Sequence, residues 1–489
     1  MALRINNIAP LYIPGGLETC TTKDGFLEPT ISSIENLLKI SGDIVRELLS
    51  IGFEKRVSII GEMGKIWVEE KASGKYEELI MRLSKATGYS RKNVELDLDF
   101  VEKVFDPFSI KVMFEKGLIG GYKSIDGPLP IGDDEFIWNK PIGSVFIIAP
   151  GNSVIPTLLP TVVSLVSSNF TILRPSITNY EVIRCIFSLL KRLIETGFED
   201  ALKLSRALLI TYIGHSSSLM EYILAKSSIS VVNYWGGEPG RSSIINFVLR
   251  NPYKPKVIVN GPLTGLAIID GKMVNASIAR DMAREMIIYD QQLCSSPTFV
   301  IFIGSFEEAR SFAKMIGEEL NKLGGNFPVD FGEDKLYRLL VNRKMLELEG
   351  KYVLYSINPN NPWTIAIDVF KGDVNVSKEV DFYSRRRFIE MIVVEDMNKI
   401  KLVFNKLLEF LIKMGLDGFQ TISTLLRRED MDNVLKMLLD YRIYRFIPLG
   451  ESLLRTPLEP FDGEFLPRYF TYPLYIRSNR LLNKFKDLM

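Results

Sequence analysis

The chain has 489 residues, 46% hydrophobic and 24% charged. That is the balance of an ordinary globular protein, and the length is too great for one core, so two or three domains are expected. Lys+Arg at 60 against Asp+Glu at 59 leaves no net field to draw nucleic acid or an anionic membrane. Cys20, Cys185 and Cys294 are odd in number, far apart and without a CxxC pair. This excludes a disulfide framework and a thiolate zinc site, and it favours a reducing, cytoplasmic setting.

The N-terminal stretch 1–16 lacks the long apolar core of a signal peptide. Helical spacing of apolar residues is predicted over 31–51 and 71–85, so the first 115 residues read as mainly helical. The Gly- and Pro-rich stretch 117–134 reads as turns or a short hairpin. Between Lys140 and Arg174 there is no charge, but Pro141, Pro150, Pro156 and Pro160 interrupt the run. A spanning helix needs about 20 continuous apolar residues, so strand, loop and buried helix is the better reading and no transmembrane segment is expected. Strands at 144–149, 171–173, 207–213 and 229–234 then alternate with helices at 155–166, 181–196 and 216–225. Such alternation implies a parallel, doubly wound sheet with its ligand site at the strand C-termini.

A second unit begins after 256–259 and 266–270. It repeats the pattern with helices at 277–289 and 306–323, strands at 299–303 and 388–394, and helix 397–414. Strand 419–425 and helix 431–439 complete it, and a Pro- and aromatic-rich tail with little periodicity runs from Pro448.

Cys294 lies in Asp290-Gln291-Gln292-Leu293-Cys294-Ser295-Ser296-Pro297, between a helix-like and a strand-like run. A thiolate is the side chain best suited to hold an acyl group as a thioester, although an isolated cysteine is more often simply buried. Asn152, in the turn Pro150-Gly151-Asn152-Ser153, is turn chemistry in its own right. His215, the only histidine, reads as a surface or loop residue after a strand.

Five segments occur in a familiar order: Pro141-Ile142-Gly143-Ser144-Val145 with Ala149-Pro150-Gly151-Asn152, Leu173-Arg174-Pro175-Ser176, Tyr234-Trp235-Gly236-Gly237, Asn260-Gly261-Pro262, and the Cys294 segment. Together they resemble the aldehyde dehydrogenase superfamily, and most of all its LuxC-type branch, the long-chain acyl-CoA reductases of the bioluminescence fatty-acid reductase system. The resemblance implies an α/β chain of aldehyde dehydrogenase-like fold, with two Rossmann-like doubly wound domains and a helical N-terminal region. Its expected parts are the helical region 1–115 packed on the cofactor domain, a dinucleotide-binding domain 116–262, a catalytic domain 263–447, and a tail 448–489 for oligomerisation or packing.

By this resemblance Cys294 is the nucleophile, and Asn152 with the Cys294 backbone N–H holds the oxyanion. Arg174 matches a lysine that contacts the adenosine ribose, and Ser176 follows it. The glutamate of that element is replaced by Ile177. An arginine without that acid favours NADPH over NADH. Gly236 and Gly237, with Pro150 and Gly151, match the turns that approach the cofactor.

Hydrolytic members place a glutamate about 34 residues before the cysteine. Here that position is Asn260, or Val259 with one slip. Without a base to activate water the acyl-enzyme would wait for hydride. The glutamate that holds the nicotinamide ribose is also missing from the aligned Ser384-Arg385-Arg386-Arg387-Phe388, whose arginines could meet CoA or NADPH phosphates, although such a run is more often a charged strand edge.

The implied activity is NADPH-dependent reduction of an acyl-CoA or acyl-protein thioester to the aldehyde. Oxidation of an aldehyde and a non-redox acyl-carrying subunit are the rivals. A homo-oligomer is implied, and an acyl-transferring synthetase partner is compatible with it. Gln420 and Thr421 match a segment near the active site of the branch.

Overall fold

The computed structural model describes residues 17–22, 27–330, 332–376 and 386–478. The N-terminal stretch 1–16, and Ser384 and Arg385 of the arginine run, lie outside the described residues. The chain forms two compact units. One comprises Met1–Leu79, Asp97–Asn260 and Thr456–Met489, the other Ile80–Leu96 and Gly261–Arg455.

The first unit opens with an antiparallel pair, β1 (Thr19–Thr21) and β2 (Leu27–Pro29). Helical spacing at 31–51 becomes a helix over Ile31–Ile51, whose first turn is capped by Thr30 accepting from the Ser33 N–H at 3.2 Å. A hydroxyl there satisfies an amide that has no partner within the helix. The single helix predicted at 71–85 is instead two, one ending at Ala72 and the next starting at Glu77. The chain turns between them at Gly74, whose φ of 81° is left-handed, and Tyr76 stacks on Trp67 at 4.4 Å. The stretch 117–134 leads into a hairpin, β3 (Leu129–Gly132) and β4 (Glu135–Pro141).

Next come β5 (Ser144–Ile148), β6 (Phe170–Arg174), β7 (Leu208–Ile210), β8 (Val231–Trp235) and β9 (Lys256–Asn260), in a parallel sheet of order β7-β6-β5-β8-β9. Strands β5, β6 and β7 are buried along their whole length, which is why they read as continuous apolar runs rather than alternations. The uncharged stretch after Lys140 resolves into β5, a loop, and the helix Ile155–Val166, buried from Thr157 onward. Sequence order runs from β5 through β6 to β7 on one side, then through β8 to β9 on the other. The C-terminal ends of β5 and β8 therefore flank the switch point where open parallel sheets take their ligands.

The second unit is built on β10 (Thr264–Asp270), β11 (Pro297–Ile303), β12 (Tyr352–Tyr355), β13 (Thr364–Val369), β14 (Phe388–Val394), β15 (Phe419–Leu425) and β16 (Arg445–Pro448). Their order is β12-β13-β14-β11-β10-β15-β16, and only β12 with β13 is antiparallel. Val300, Phe302 and Met391 pack against helices Ala276–Ile287 and Phe306–Gly324, while Ile268, Ile301 and Ile392 pack against Ile400–Lys413.

Helix Glu333–Leu348 gives no apolar stripe in the sequence, because its buried face is Leu339, Asn342, Arg343 and Leu346. Arg343 is satisfied inside by Thr364 Oγ1 and the carbonyls of Ser356, Pro362 and Trp363. The aperiodic tail holds β17 (Thr471–Arg477), which returns to the first unit and completes an antiparallel sheet of order β17-β4-β3. Most of β17 is exposed, so no alternation marks it. Among the described residues no helix is long and apolar enough to cross a membrane.

Ile268 is 0% exposed in the middle of β10, between β11 and β15. Ile268→Ala is expected to cost about 2–5 kcal/mol, measured as a lowered denaturation midpoint of the full chain.

Candidate functional site

In the first unit the loop after β5 carries Pro150, Gly151 and Asn152, and it is clamped from two sides. Asp97, on helix Arg91–Phe105, accepts from Ser153 Oγ at 2.5 Å and from the Val154 N–H at 2.9 Å. Asn179 donates to the Ser153 carbonyl at 2.9 Å and to the Pro150 carbonyl at 3.4 Å. Both clamping residues are buried, so water competes little for these bonds. Ser153 Oγ in turn accepts from the Ile155 N–H at 3.1 Å and starts helix Ile155–Val166. Asn152 is thus held on a fixed turn by residues from two other segments.

Arg174 ends β6 and is buried. Its Nε donates to the Ile213 carbonyl at 2.9 Å, its guanidinium lies 5.0 Å from the Tyr212 ring centre, and Nη2 is 3.3 Å from His215 Nε2. Burial pulls its pKa down, with the nearby Tyr212 and Tyr234 opposing; an arginine nonetheless stays cationic. Ser176 Oγ shares a 2.8 Å hydrogen bond with Thr178 Oγ1. His215 is exposed and in a loop, as expected, but its contact with Arg174 has no signal in the sequence.

Gly236 and Gly237 follow β8 and precede helix Gly240–Leu249. Tyr234 Oη donates to the Gly237 carbonyl at 2.9 Å, and a Cβ on Gly236 would lie 2.7 Å from Tyr234 Oη. Close packing on Tyr234 therefore requires a glycine at 236. The Glu238 carboxylate accepts from the Ser242 N–H at 3.1 Å and from Arg241 Nε at 2.8 Å, and the Ser242 side chain first, then Arg241, hold it below the usual carboxylate range. The Ser242 amide at the start of this helix is occupied by Glu238, and the Gly236 N–H donates to the Asn260 carbonyl at 3.1 Å.

Asn260 ends β9 and is buried. Its Oδ1 accepts from Asn233 Nδ2 at 2.9 Å, its Nδ2 donates to Asp462 Oδ2 at 3.4 Å, and Trp235 Nε1 donates to Asn233 Oδ1 at 2.6 Å. The position is an amide, as the sequence says, and a carboxylate from the C-terminal segment reaches it.

In the second unit Cys294 is half-buried between the short turn Ile288–Gln291 and β11. None of the three cysteines is in a disulfide. A Cβ on Gly261 would lie 3.9 Å from Cys294 Sγ. Gly265 donates its N–H to the Ser296 carbonyl at 3.0 Å, and a Cβ there would come within 2.4 Å of the Ser295 carbonyl oxygen. Strand β10 can therefore lie against the cysteine loop only with glycine at that point.

Just before the cysteine, Tyr289, Asp290 and Gln291 all take left-handed backbone conformations, with φ of 51°, 48° and 60°. Each costs on the order of 1–2 kcal/mol for a residue with a Cβ, so neighbouring contacts must hold them. Asp290 is fully buried and paired with fully buried Arg387 through Nη2 at 2.7 Å and Nε at 2.8 Å. Burial pushes the Asp290 carboxyl up, while Arg387 and then Arg386 pull it back. Asn93 accepts from the Tyr289 N–H at 3.0 Å, and Gln291 bonds both the Pro297 carbonyl and the Phe388 N–H.

The arginine run, read as a candidate for phosphate contacts, is put to another use in its described part. Arg387 also donates to Asn361 and to the Phe327 carbonyl, and Arg386 donates to the carbonyls of Gly88 and Thr87. Both side chains are turned inward, and neither is a surface charge. Gln420 accepts from Arg455 at 3.0 Å.

The sequence profile of the acyl-CoA reductase (LuxC) family matches residues 49–468. A long-chain acyl-protein thioester reductase of Photobacterium phosphoreum is 22% identical over 365 residues, 73% of this chain and 72% of that one. A protein of the same description from Photorhabdus luminescens is 24% identical over 63% of this chain and 62% of its own. Among solved structures, glyceraldehyde-3-phosphate dehydrogenase GapN of Methanocaldococcus jannaschii, complexed with NADP, superposes with a TM-score of 0.67 at 14% identity, over 92% of this chain and 95% of that one. An NAD-dependent benzaldehyde dehydrogenase of Corynebacterium glutamicum gives 0.63 at 14% identity, over 93% and 91%. The fold is that of the aldehyde dehydrogenases.

Arg387→Met leaves Asp290 buried without its main partner and is expected to cost about 3–5 kcal/mol. Pairing it with Asp290→Leu should recover part of that loss. Denaturation of the two variants against the parent checks this, and equal losses in both would show that the pair does not hold the turn.

Proposed function

The chain belongs to the acyl-CoA reductase (LuxC) family, and on that premise we propose that it reduces a long-chain acyl thioester to the aldehyde through a thioester on Cys294. The observation that carries the reading is the Cys294 turn, a half-buried thiol behind three left-handed residues that a buried ion pair holds in place. Backbone strain of this kind persists where the surroundings over-determine it, and such places are commonly active sites.

The Cys294 thiolate attacks the acyl carbonyl, and the donor's sulfur leaves, exchanging one thioester for another. The side-chain N–H of Asn152 and the backbone N–H of Cys294 stabilise the oxyanion as it forms, the roles their superfamily counterparts hold. A bound NADPH supplies the hydride. Collapse of the thiohemiacetal on Cys294 frees the aldehyde and returns the thiolate. Asn260, an amide tied to Asn233 and Asp462, cannot act as the general base that hydrolysis of the thioester needs.

The first unit fits a nicotinamide dinucleotide. Pro150 and Gly151 after β5, with Gly236 and Gly237 after β8, flank the switch point and would hold the pyrophosphate. Arg174 and Ser176 would face the adenosine ribose. A buried arginine there, with Ile177 in place of an acid, supports NADPH over NADH. For the acyl donor, the relatives' description favours a protein-bound thioester and the family's description favours CoA. A homo-oligomer and an acyl-transferring synthetase complete the proposal.

Asp462 favours a second reading, oxidation of an aldehyde to the acid, because it brings a carboxylate to Asn260.

Cys294→Ala is expected to abolish thioester-dependent NADPH oxidation, and Asn152→Ala to lower kcat about 10²–10³-fold. Steady-state rates with acyl-CoA and with an acylated carrier protein check both and identify the donor. Intact-mass analysis should show an acyl adduct that Cys294→Ala lacks and NADPH discharges. Aldehyde is the expected product; acid that disappears in Asp462→Asn would establish the oxidative reading instead.

A further inference from the structure

His215 is the chain's only histidine. Its Nε2 lies 3.3 Å from Arg174 Nη2. Arginine only donates, so Nε2 accepts and the ring is neutral. Partial desolvation of the otherwise exposed ring first, and then the charge of Arg174, pull the imidazole pKa below its usual value. Arg174 is only 5% exposed, yet its contacts are neutral: the Ile213 carbonyl, the Tyr212 ring and His215 itself. Among the described residues no carboxylate pairs with it. A guanidinium taken out of water costs several kcal/mol unless an anion joins it. The end of β6 thus holds a cation lacking a counter-ion, beside a base that can become a second cation.

We propose that Arg174 and His215 together bind a phosphomonoester, the 2′-phosphate of NADPH, with His215 taking up a proton as the phosphate arrives. The proposal rests on the dinucleotide reading above. In sheets of this type the ribose lies near the end of the second strand, and an arginine there accommodates a 2′-phosphate. Arg174 ends β6, the second strand of this sheet in sequence order. The phosphate is a dianion above about pH 6, and a neutral imidazole gives it no bond that an imidazolium would not strengthen. The other titratable groups around the loop 211–217 are Tyr212, Tyr234, which feels the charge of Arg174, and Glu28 on β2, whose Oε1 accepts from Ser217 Oγ at 2.6 Å. Ile177 adds no negative charge.

The test is fluorescence titration of the full chain with NADPH and with NADH, at pH 7 and pH 9, for the parent, His215→Gln and His215→Arg. Loss of one charge-assisted hydrogen bond predicts that His215→Gln weakens NADPH about tenfold at pH 7 and leaves NADH unchanged. The parent should bind NADPH severalfold more weakly at pH 9 than at pH 7. His215→Gln should lose that pH dependence, and His215→Arg should bind NADPH tightly at both pH values. NADPH binding that ignores His215→Gln, or a loss shared equally with NADH, overturns the role of His215 while leaving the dinucleotide reading intact. A parent that binds NADH but not NADPH overturns the choice of cofactor and the His215 proposal together.

Discussion

Parallel strands cannot be joined by tight turns, and each crossover must carry the chain back past the sheet. The connections therefore collect at the two edges of the sheet, and everything proposed for this protein sits on one edge or the other. In the first unit the candidate residues lie at strand C-termini: Asn152 after β5, Arg174 at the end of β6, His215 after β7, Gly236 after β8 and Asn260 at the end of β9. In the second unit they lie at strand N-termini, with Gly261 before β10, Cys294 before β11 and Arg387 before β14. A ligand at the C-terminal edge follows the general rule for open sheets. A thiol at the N-terminal edge does not.

That difference explains why the cysteine loop needs so much support. A strand's C-terminal end opens into a loop and helix whose amides already point at a ligand. The entry to β11 has no such arrangement, so the turn into it is built from three left-handed residues. Asp290 and Arg387 hold that turn from inside the core, Asn93 and Gln291 fix its flanks, and Gly265 lets β10 close against it. The loop of Asn152 is held by the same kind of device, two buried polar side chains from distant segments that take up its backbone and Ser153.

Elements with a clean period or an unbroken apolar run were legible. Ile31–Ile51, Ile155–Val166, Phe388–Val394 and Phe419–Leu425 follow from the spacing of apolar residues alone. Glu333–Leu348 was not legible, because Arg343 stands on its buried face and only the carbonyls around it make that tolerable. Strand β17 was hidden for the opposite reason, since it pairs by backbone bonds to β4 while most of its side chains face solvent. The arginine run looked like surface charge or phosphate contacts, and only its burial against Asp290 identified Arg387 as part of the cysteine turn.

The sequence by itself determined the α/β class, the order of the elements, and which residues are candidates for the reactive groups. These depend on residue type and on short spacings that period and motif preserve. It also determined what is missing, an acid at Asn260 and at Ile177. The tertiary structure decided which groups share a charge environment: Asp290 with Arg387, Asn260 with Asp462, Arg174 with His215. These partners are separated by 97, 202 and 41 positions. No local period links residues so far apart, so only the folded packing of strands and loops brings them within hydrogen-bond range.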